Sequence, residues 1–296
     1  MSKMLITGAG GFIGGCCANY FKDDYEIYAI DKNDCKCKNF IKGIVNLENL
    51  KAFGKKFDVI IHLAGSSTVG SAEKNPNEEK EKTIKSSYYL LEYIKHFNKN
   101  AKLIFSSSAA VYGDKHDGKI KEDDFLHPIS NYGKDKLEVE NLCKEYAINY
   151  GLNIKIARFF SIYGEGLKKQ VLWDFSKRLF ETNSKTLGCF GTGEEKRDFI
   201  HIKDVICFID LLIKQNDEFE IYNCGSGKPC TIKDLLLKLI KCYAKNTELV
   251  FDNKIQQGNP KTLIADISKA SAIGFSPKID FDKGIEEYAK WFRAEN

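Results

Sequence analysis

The stretch Gly8-Ala9-Gly10-Gly11-Phe12-Ile13-Gly14 constrains this chain more than any other. It follows a short apolar run, Lys3–Thr7, that reads as a strand, and it opens a stretch, Phe12–Lys22, that reads as a helix. Glycines at 8, 11 and 14 permit a tight turn and let backbone approach a pyrophosphate. The helix N-terminus then offers free N–H groups and a positive dipole end. The next strand, Tyr25–Ile30, runs into Asp31. A carboxylate there can accept hydrogen bonds from adenosine ribose hydroxyls and repel a 2′-phosphate. NAD is therefore the expected cofactor, ahead of NADP, although Lys32 stands beside Asp31.

Short apolar runs then alternate with amphipathic stretches. Val59–Leu63, Leu103–Ser106 and Ile154–Phe159 read as strands, and Glu78–Phe97 and Tyr132–Tyr150 as helices. Such alternation predicts an α/β fold, a Rossmann-type doubly wound parallel sheet. After Phe160 the rhythm breaks. Helices are expected at Val171–Glu181, Lys203–Lys214, Ile232–Tyr243 and Gly284–Trp291, and Gly188 to Asp198 reads as a loop. The expected organisation is a Rossmann domain over 1–160 that also takes in roughly 199–222. The remainder, 161–296, would be mainly a smaller, interleaved α/β substrate lobe.

Composition excludes other classes. The net charge of +4 and the lack of a dense basic run argue against nucleic acid. No run approaches the roughly 18 apolar residues of a membrane span, and the first residues lack a signal-peptide pattern. A cytoplasmic enzyme is the expectation. The ten cysteines form no C-x-x-C pair and the five histidines are scattered, so no metal site is expected.

The chemistry is carried by Tyr132 and Lys136, which are one helical turn apart and share a helix face. An ammonium and a positive nicotinamide ring would favour the phenolate of Tyr132 and lower its pKa. Tyr132 could then take a substrate hydroxyl proton as hydride leaves for the cofactor, or return it. Lys136 could also donate to the nicotinamide ribose. A serine upstream, best Ser108, would bond the same substrate oxygen.

With these motifs in order, the chain resembles the extended short-chain dehydrogenase/reductases that act on nucleotide sugars, the UDP-galactose 4-epimerase-like group. The resemblance rests on Thr7–Gly14, His62-Leu63-Ala64-Gly65, Phe105–Gly113, Asn131–Lys136, Arg158–Gly164, Arg197-Asp198-Phe199, Tyr222–Gly227 and Gly274-Phe275-x-Pro277. It implies catalytic roles for Ser108, Tyr132 and Lys136. It also implies a cofactor site built from Gly8, Gly11, Phe12, Ile13, Gly14, Asp31, Asn46, Leu47, Leu63, Ala64, Gly65, Ser106 and Phe159, with Tyr132 and Lys136. The substrate, a nucleotide-diphosphate sugar, would meet Val69, Ser108, Tyr132, Ser161 and Arg197. Arg197 would grip the diphosphate as a guanidinium fork. The resemblance further implies a homodimer through Glu78–Phe97 and Tyr132–Tyr150.

Related 4,6-dehydratases and decarboxylases carry carboxylates after the catalytic Ser/Thr. Here Ala109 and Ala110 stand there and cannot transfer protons, which argues against both activities. Other departures point to an atypical substrate pocket: Ser161 where an Asn is usual, Gln256 where a second diphosphate arginine is usual, and Asn46 where an Asp is usual. The expected function is a nucleotide-sugar 4-epimerase that transiently oxidises C4. The alternatives are an NAD(P)H-dependent reductase of nucleotide 4-keto sugars, making a deoxy sugar, and a catalytically silent NAD(H)-binding protein.

Overall fold

The computed structural model describes residues 1–66, 70, 75–114, 118–182, 184–254 and 260–296. In chain order its strands are β1 (Ser2–Thr7), β2 (Tyr25–Asp31), β3 (Asn39–Lys42), β4 (Val59–His62), β5 (Lys102–Ser108), β6 (Lys119–Ile120), β7 (Asn153–Phe159), β8 (Ser161–Tyr163), β9 (Thr186–Cys189), β10 (Lys196–His201), β11 (Phe219–Cys224), β12 (Pro229–Thr231), β13 (Glu248–Phe251) and β14 (Thr262–Ala265).

Seven of them form one sheet in the order β3-β2-β1-β4-β5-β7-β11, with every neighbouring pair parallel. Parallel strands covered on both faces are buried almost throughout. All four residues of β4 are buried, as are Ile154 to Phe159 of β7. On one face the helices Phe12–Phe21 and Ile202–Lys214 supply Phe21, Val205, Phe208 and Ile209 to the core. On the other, the helices Ser86–Phe97 and Asn131–Tyr150 supply Leu90, Leu91, Ile94, Val139 and Cys143. The doubly wound α/β fold expected from the sequence is thus present.

Strand order reverses between β1 and β4, and parallel sheets open a crevice at such a point. The turn after β1 fits there only because it lacks side chains. A Cβ on Gly14 would lie 2.2 Å from the carbonyl oxygen of Gly8, and one on Gly8 would lie 2.8 Å from Ala64 N. The helix therefore starts hard against the end of its own strand.

A second sheet, β12-β10-β14-β6 with β8 on β10, continues from the crevice. Helices Gln170–Glu181, Ile232–Cys242 and Phe281–Glu295 pack Phe175, Leu179, Leu235, Leu239, Tyr288 and Phe292 into a separate core. The segment 188–198, expected as a loop, holds the end of β9 and the start of β10. Its glycines make the intervening turn, where Gly191 and Gly193 have φ of +85° and +83°. The charged Lys196-Arg197 begins a strand that is paired on both sides, to β12 and β14. Charge at a strand start hid the strand from a reading by apolar runs.

The long helix expected at 78–97 begins at Pro76 and contains a π-helical turn, Glu81–Lys85. Ser86 and Ser87 hydroxyls donate back to the carbonyls of Lys82 and Thr83 at 2.5 and 2.6 Å. Such back-bonding loosens the helical ladder.

Gly14→Ala is expected to lower the unfolding free energy by roughly 1–3 kcal/mol, because the added methyl forces the turn apart. Urea unfolding of the two proteins checks this. An unchanged midpoint would mean that the turn has slack that these distances deny.

Candidate active site and cofactor cleft

The crevice widens into a cleft of about 1590 Å³ that runs from the Gly8 turn to the second sheet. At one end the helix Phe12–Phe21 presents its N-terminus. It has no side-chain cap and no acidic residue in its first turn. An uncapped, acid-free N-terminus of this kind suits an anion such as a pyrophosphate. Asp31 sits at the C-terminal end of β2. Its two oxygens accept from Gly10 N at 2.9 Å and Asn33 N at 2.7 Å, which orients the carboxylate on the cleft wall.

The ends of β1 and β4 are locked by a buried relay. Thr7 Oγ1 lies 2.6 Å from His62 Nδ1, His62 Nε2 lies 3.0 Å from Ser87 Oγ, and Ala64 N donates to Thr7 Oγ1 at 3.2 Å. Burial, aided by the Lys136 charge, pushes the His62 pKa down to about 3. The imidazole is neutral and acts as a fixed hydrogen-bonding strut.

Ser108 ends β5 and caps the short 3-10 turn Ala109–Val111, accepting from Ala110 N at 3.2 Å. The helix Asn131–Tyr150 is capped by Ser130, whose Oγ accepts from Gly133 N at 3.1 Å. A Cβ on Gly133 would lie 2.5 Å from the Ala110 carbonyl oxygen. Only a glycine lets this helix come so close. That approach sets Tyr132 beside Ser108 on the same cleft wall, where the serine hydroxyl influences the phenol. One turn on, Lys136 Nζ donates to the Ser106 carbonyl at 2.7 Å.

The electrostatics differ from the sequence expectation. The sequence predicts that Lys136 and a positive nicotinamide ring together lower the Tyr132 pKa; in the protein alone burial raises it, and the Ser108 hydroxyl opposes the rise. The physical reason is that the Lys136 ammonium is committed to the Ser106 carbonyl and lies 6.0 Å from the tyrosine ring centroid. Lys136 is itself desolvated, and its pKa falls to about 8.

The cleft wall brings together Gly8, Gly11, Phe12, Ile13, Gly14, Asp31, Asn46, Leu63, Ala64, Gly65, Ser106, Ser108, Tyr132, Lys136, Phe159, Ser161 and Arg197. Next to Asn46, Leu47 begins the helix Leu47–Ala52 and is partly buried against the core, while Asn46 caps that helix by accepting from Asn49 N at 2.8 Å. Val69, expected on the sugar side, lies outside the described residues. Arg197 is half-buried at the far end of the cleft. It donates to the carbonyls of Lys196 and Lys261 at 2.9 and 3.4 Å and forms no ion pair among the described residues.

Sequence reading missed several further cations along the cleft, among them Lys169, Arg178 and Lys261 toward the second sheet. Lys169 is desolvated enough that its pKa falls, and it has no hydrogen-bonding or ionic partner among the described residues. Next to it Gln170 holds φ at +65°, which is uncommon for a residue with a side chain. Lys169 caps the helix Gln170–Glu181 that carries Arg178, and Lys261 comes from just before β14.

The fold and the cleft are those of a Rossmann-like α/β protein with a second sheet at the far end of the cleft. The model of the NAD dependent epimerase/dehydratase family matches residues 4–225. The chain belongs to that family, and its cofactor is NAD. It is 31% identical to the uncharacterized UDP-glucose epimerase YtcB of Bacillus subtilis, over 96% of this chain and 95% of that one. It superposes on the UDP-glucose 4-epimerase of Thermotoga maritima with UDP-glucose at a TM-score of 0.91, with 26% identity and 99% of each chain covered. It superposes on the UDP-glucuronic acid 4-epimerase of Bacillus cereus with UDP-glucuronic acid and NAD at a TM-score of 0.89. There the identity is 29%, with 99% of this chain and 100% of that one covered.

Replacing Asp31 by Ala should weaken NAD⁺ binding roughly tenfold, through lost hydrogen bonds to a carboxylate, and narrow the preference over NADP⁺. Isothermal titration with both dinucleotides reads this directly. Tighter binding of NADP⁺ by the unaltered protein would overturn the role given to Asp31.

Proposed function

We propose that this protein is an NAD-dependent 4-epimerase of a uridine-diphosphate sugar. The observation that carries the reading is that Ser108, Tyr132 and Lys136 line one cleft with the glycine turn and Arg197. The names of the relatives point to UDP sugars and to C4. They do not favour the reductase alternative.

The residues fit the cofactor: a side-chain-free turn, an uncapped helix N-terminus and the oriented Asp31 carboxylate. Bound NAD⁺ supplies the acceptor for the hydride lost from C4 and the donor that returns it. Tyr132 Oη takes the proton of the C4 hydroxyl as its C–H bond breaks, and gives it back to the 4-keto oxygen after the sugar has turned. Ser108 Oγ holds that oxygen. Burial alone disfavours the phenolate, and the positive charge of the oxidised nicotinamide would supply the opposing pull. Arg197 and the Lys169 ammonium face the sugar-nucleotide end and neutralise the diphosphate. Because both lobes close on one cleft, the second sheet and its helices serve as the substrate lobe.

We also propose a cytoplasmic homodimer. Among the described residues no helix is long and apolar enough to cross a membrane. Tyr88, Ile148 and Tyr150 are exposed apolar residues on the two helices expected to pair. Sedimentation at micromolar concentration should give twice the chain mass, and a monomer would reject the pairing.

The reading is tested in two steps. Freshly purified protein is denatured and the released nucleotide identified by mass spectrometry, with stoichiometric NAD⁺ or NADH expected. UDP-glucose and UDP-glucuronate are then supplied, and the products resolved from their C4 epimers. Bound NADP(H) or an empty site, with no epimer formed, would sink the proposal in favour of a reductase. Tyr132→Phe should lose roughly 10²–10⁴-fold in kcat. Arg197→Ala should mainly raise KM, by roughly 10- to 100-fold for the loss of a charge-assisted contact.

A further inference from the structure

The segment Ala64-Gly65-Ser66, just beyond β4, lines the cleft. On one side it abuts the glycine turn, where a Cβ on Gly8 would lie 2.8 Å from Ala64 N. On the other side His62 pairs with Phe105, the residue before Ser106, whose carbonyl holds Lys136 Nζ. Gly65, at the centre of the segment, has no side chain to anchor it and holds φ at +145°. The segment is gripped instead by the N–H groups at its two ends. Ala64 N donates to Thr7 Oγ1 at 3.2 Å, and Ser66 N donates to Thr83 Oγ1 at 2.9 Å. A Cβ on Gly65 would lie 3.2 Å from that same Thr83 oxygen, so the glycine lets the hydroxyl come this close.

The two anchors are joined to each other. Ser87 Oγ donates to the Thr83 carbonyl at 2.6 Å, His62 Nε2 lies 3.0 Å from Ser87 Oγ, and His62 Nδ1 lies 2.6 Å from Thr7 Oγ1. Thr7, His62, Thr83 and Ser87 are all buried. Their protons run in one direction only. A carbonyl can only accept, so the Ser87 proton is spent on Thr83. His62 Nε2 therefore donates to Ser87 Oγ. Burial keeps the ring neutral, so Nδ1 is bare and accepts from the Thr7 hydroxyl. Thr7 Oγ1 keeps its lone pairs for Ala64 N. Thr83 closes the circuit with its carbonyl and holds Ser66 with its hydroxyl. It sits in the π-helical turn Glu81–Lys85, a local widening of the kind that recurs at functional sites.

We infer that Thr83 is a positioning residue: linked through Ser87, His62 and Thr7, it holds the Ala64-Gly65-Ser66 backbone in place for the nicotinamide half of the cofactor. The inference rests on NAD as the occupant of this cleft. Strand order puts Asp31 on β2, the glycine turn after β1, this segment after β4 and Ser106 on β5. A dinucleotide laid across these four strand ends, with its adenosine at Asp31, brings its nicotinamide half over the segment. A buried polar circuit in which each linking proton has one acceptor specifies a single geometry. The segment is thus set before the cofactor arrives, and binding does not have to order it.

The test is a pair of variants read by isothermal titration with NAD⁺ and by urea unfolding. Thr83→Val keeps the shape and loses the hydroxyl, whereas Thr83→Ser keeps the hydroxyl and loses a methyl group. NAD⁺ binding by Thr83→Val should weaken roughly 3- to 10-fold, the effect of one lost hydrogen bond, and Thr83→Ser should stay within about twofold of the unaltered protein. A merely structural role would lower the urea midpoint of Thr83→Val and leave the folded variant binding NAD⁺ as before. That result overturns the inference, and so does binding by Thr83→Ser as weak as by Thr83→Val. Should Thr83→Val not fold, nitrogen NMR of histidine-labelled protein decides. The His62 ring, identified by the signals lost in His62→Gln, should carry its proton on Nε2 in the unaltered protein and lose that fixed tautomer in Ser87→Ala. A proton on Nδ1, or a ring that Ser87→Ala leaves unchanged, overturns the inference. Failure of the unaltered protein to bind NAD⁺, with the His62 tautomer as expected, is a different result and sinks the cofactor assignment rather than the circuit.

Discussion

The cleft depends on backbone packed against backbone where β1 ends. The turn after β1 lies so close to the start of its helix and to the end of β4 that a methyl group at Gly8 or Gly14 would overlap main-chain atoms. This closeness sets the direction of the first helix and leaves its N–H groups facing the crevice. The Thr7–His62–Ser87 relay fixes the opposite lip. A side chain anywhere in this junction would push the lips apart and misdirect the helix dipole. The same device recurs at Gly133, where a missing side chain lets the Tyr132 helix reach Ser108.

What the sequence reveals and what it hides divide along the range of the interactions. The glycine turn, Asp31, Ser108 and the Tyr132–Lys136 spacing are local patterns with a local cause: a strand-to-helix bend, a strand end and a helix repeat. The parallel sheet is legible for the same reason, since each buried strand is a continuous apolar run. Arg197 and Ser161 were legible only through resemblance to a family. Lys169, Arg178 and Lys261 were invisible, because the helix Gln170–Glu181 and the stretch before β14 come together at one wall only in the fold. β10 was misread because its first residues are charged, and charge next to glycine looks like a loop until a pairing partner is known.

The Tyr132 environment shows where local reasoning about charge fails. Residues four apart on a helix share a face, but distance between the charged atoms decides the effect. Lys136 spends its ammonium on the Ser106 carbonyl, and burial then dominates both groups, raising one pKa and lowering the other. The ion pair of Glu140 with Arg158 joins residues from different elements, and no spacing rule connects them.

The second sheet has a consequence for how the chain reaches this state. Its strands come from residues 119–120, 161–163, 196–201, 229–231 and 262–265, and stretches of the first sheet and its helices intervene. Phe160 N, between the two sheets, also bonds to the carbonyl of Cys224 on the last strand of the first. Neither sheet can be completed from a contiguous half of the chain. Loop-closure entropy for such distant pairings must be met before most of their contacts form, which makes folding slow and all-or-none. During synthesis the N-terminal half would wait, with an unfinished sheet edge exposed, until the last third has left the ribosome.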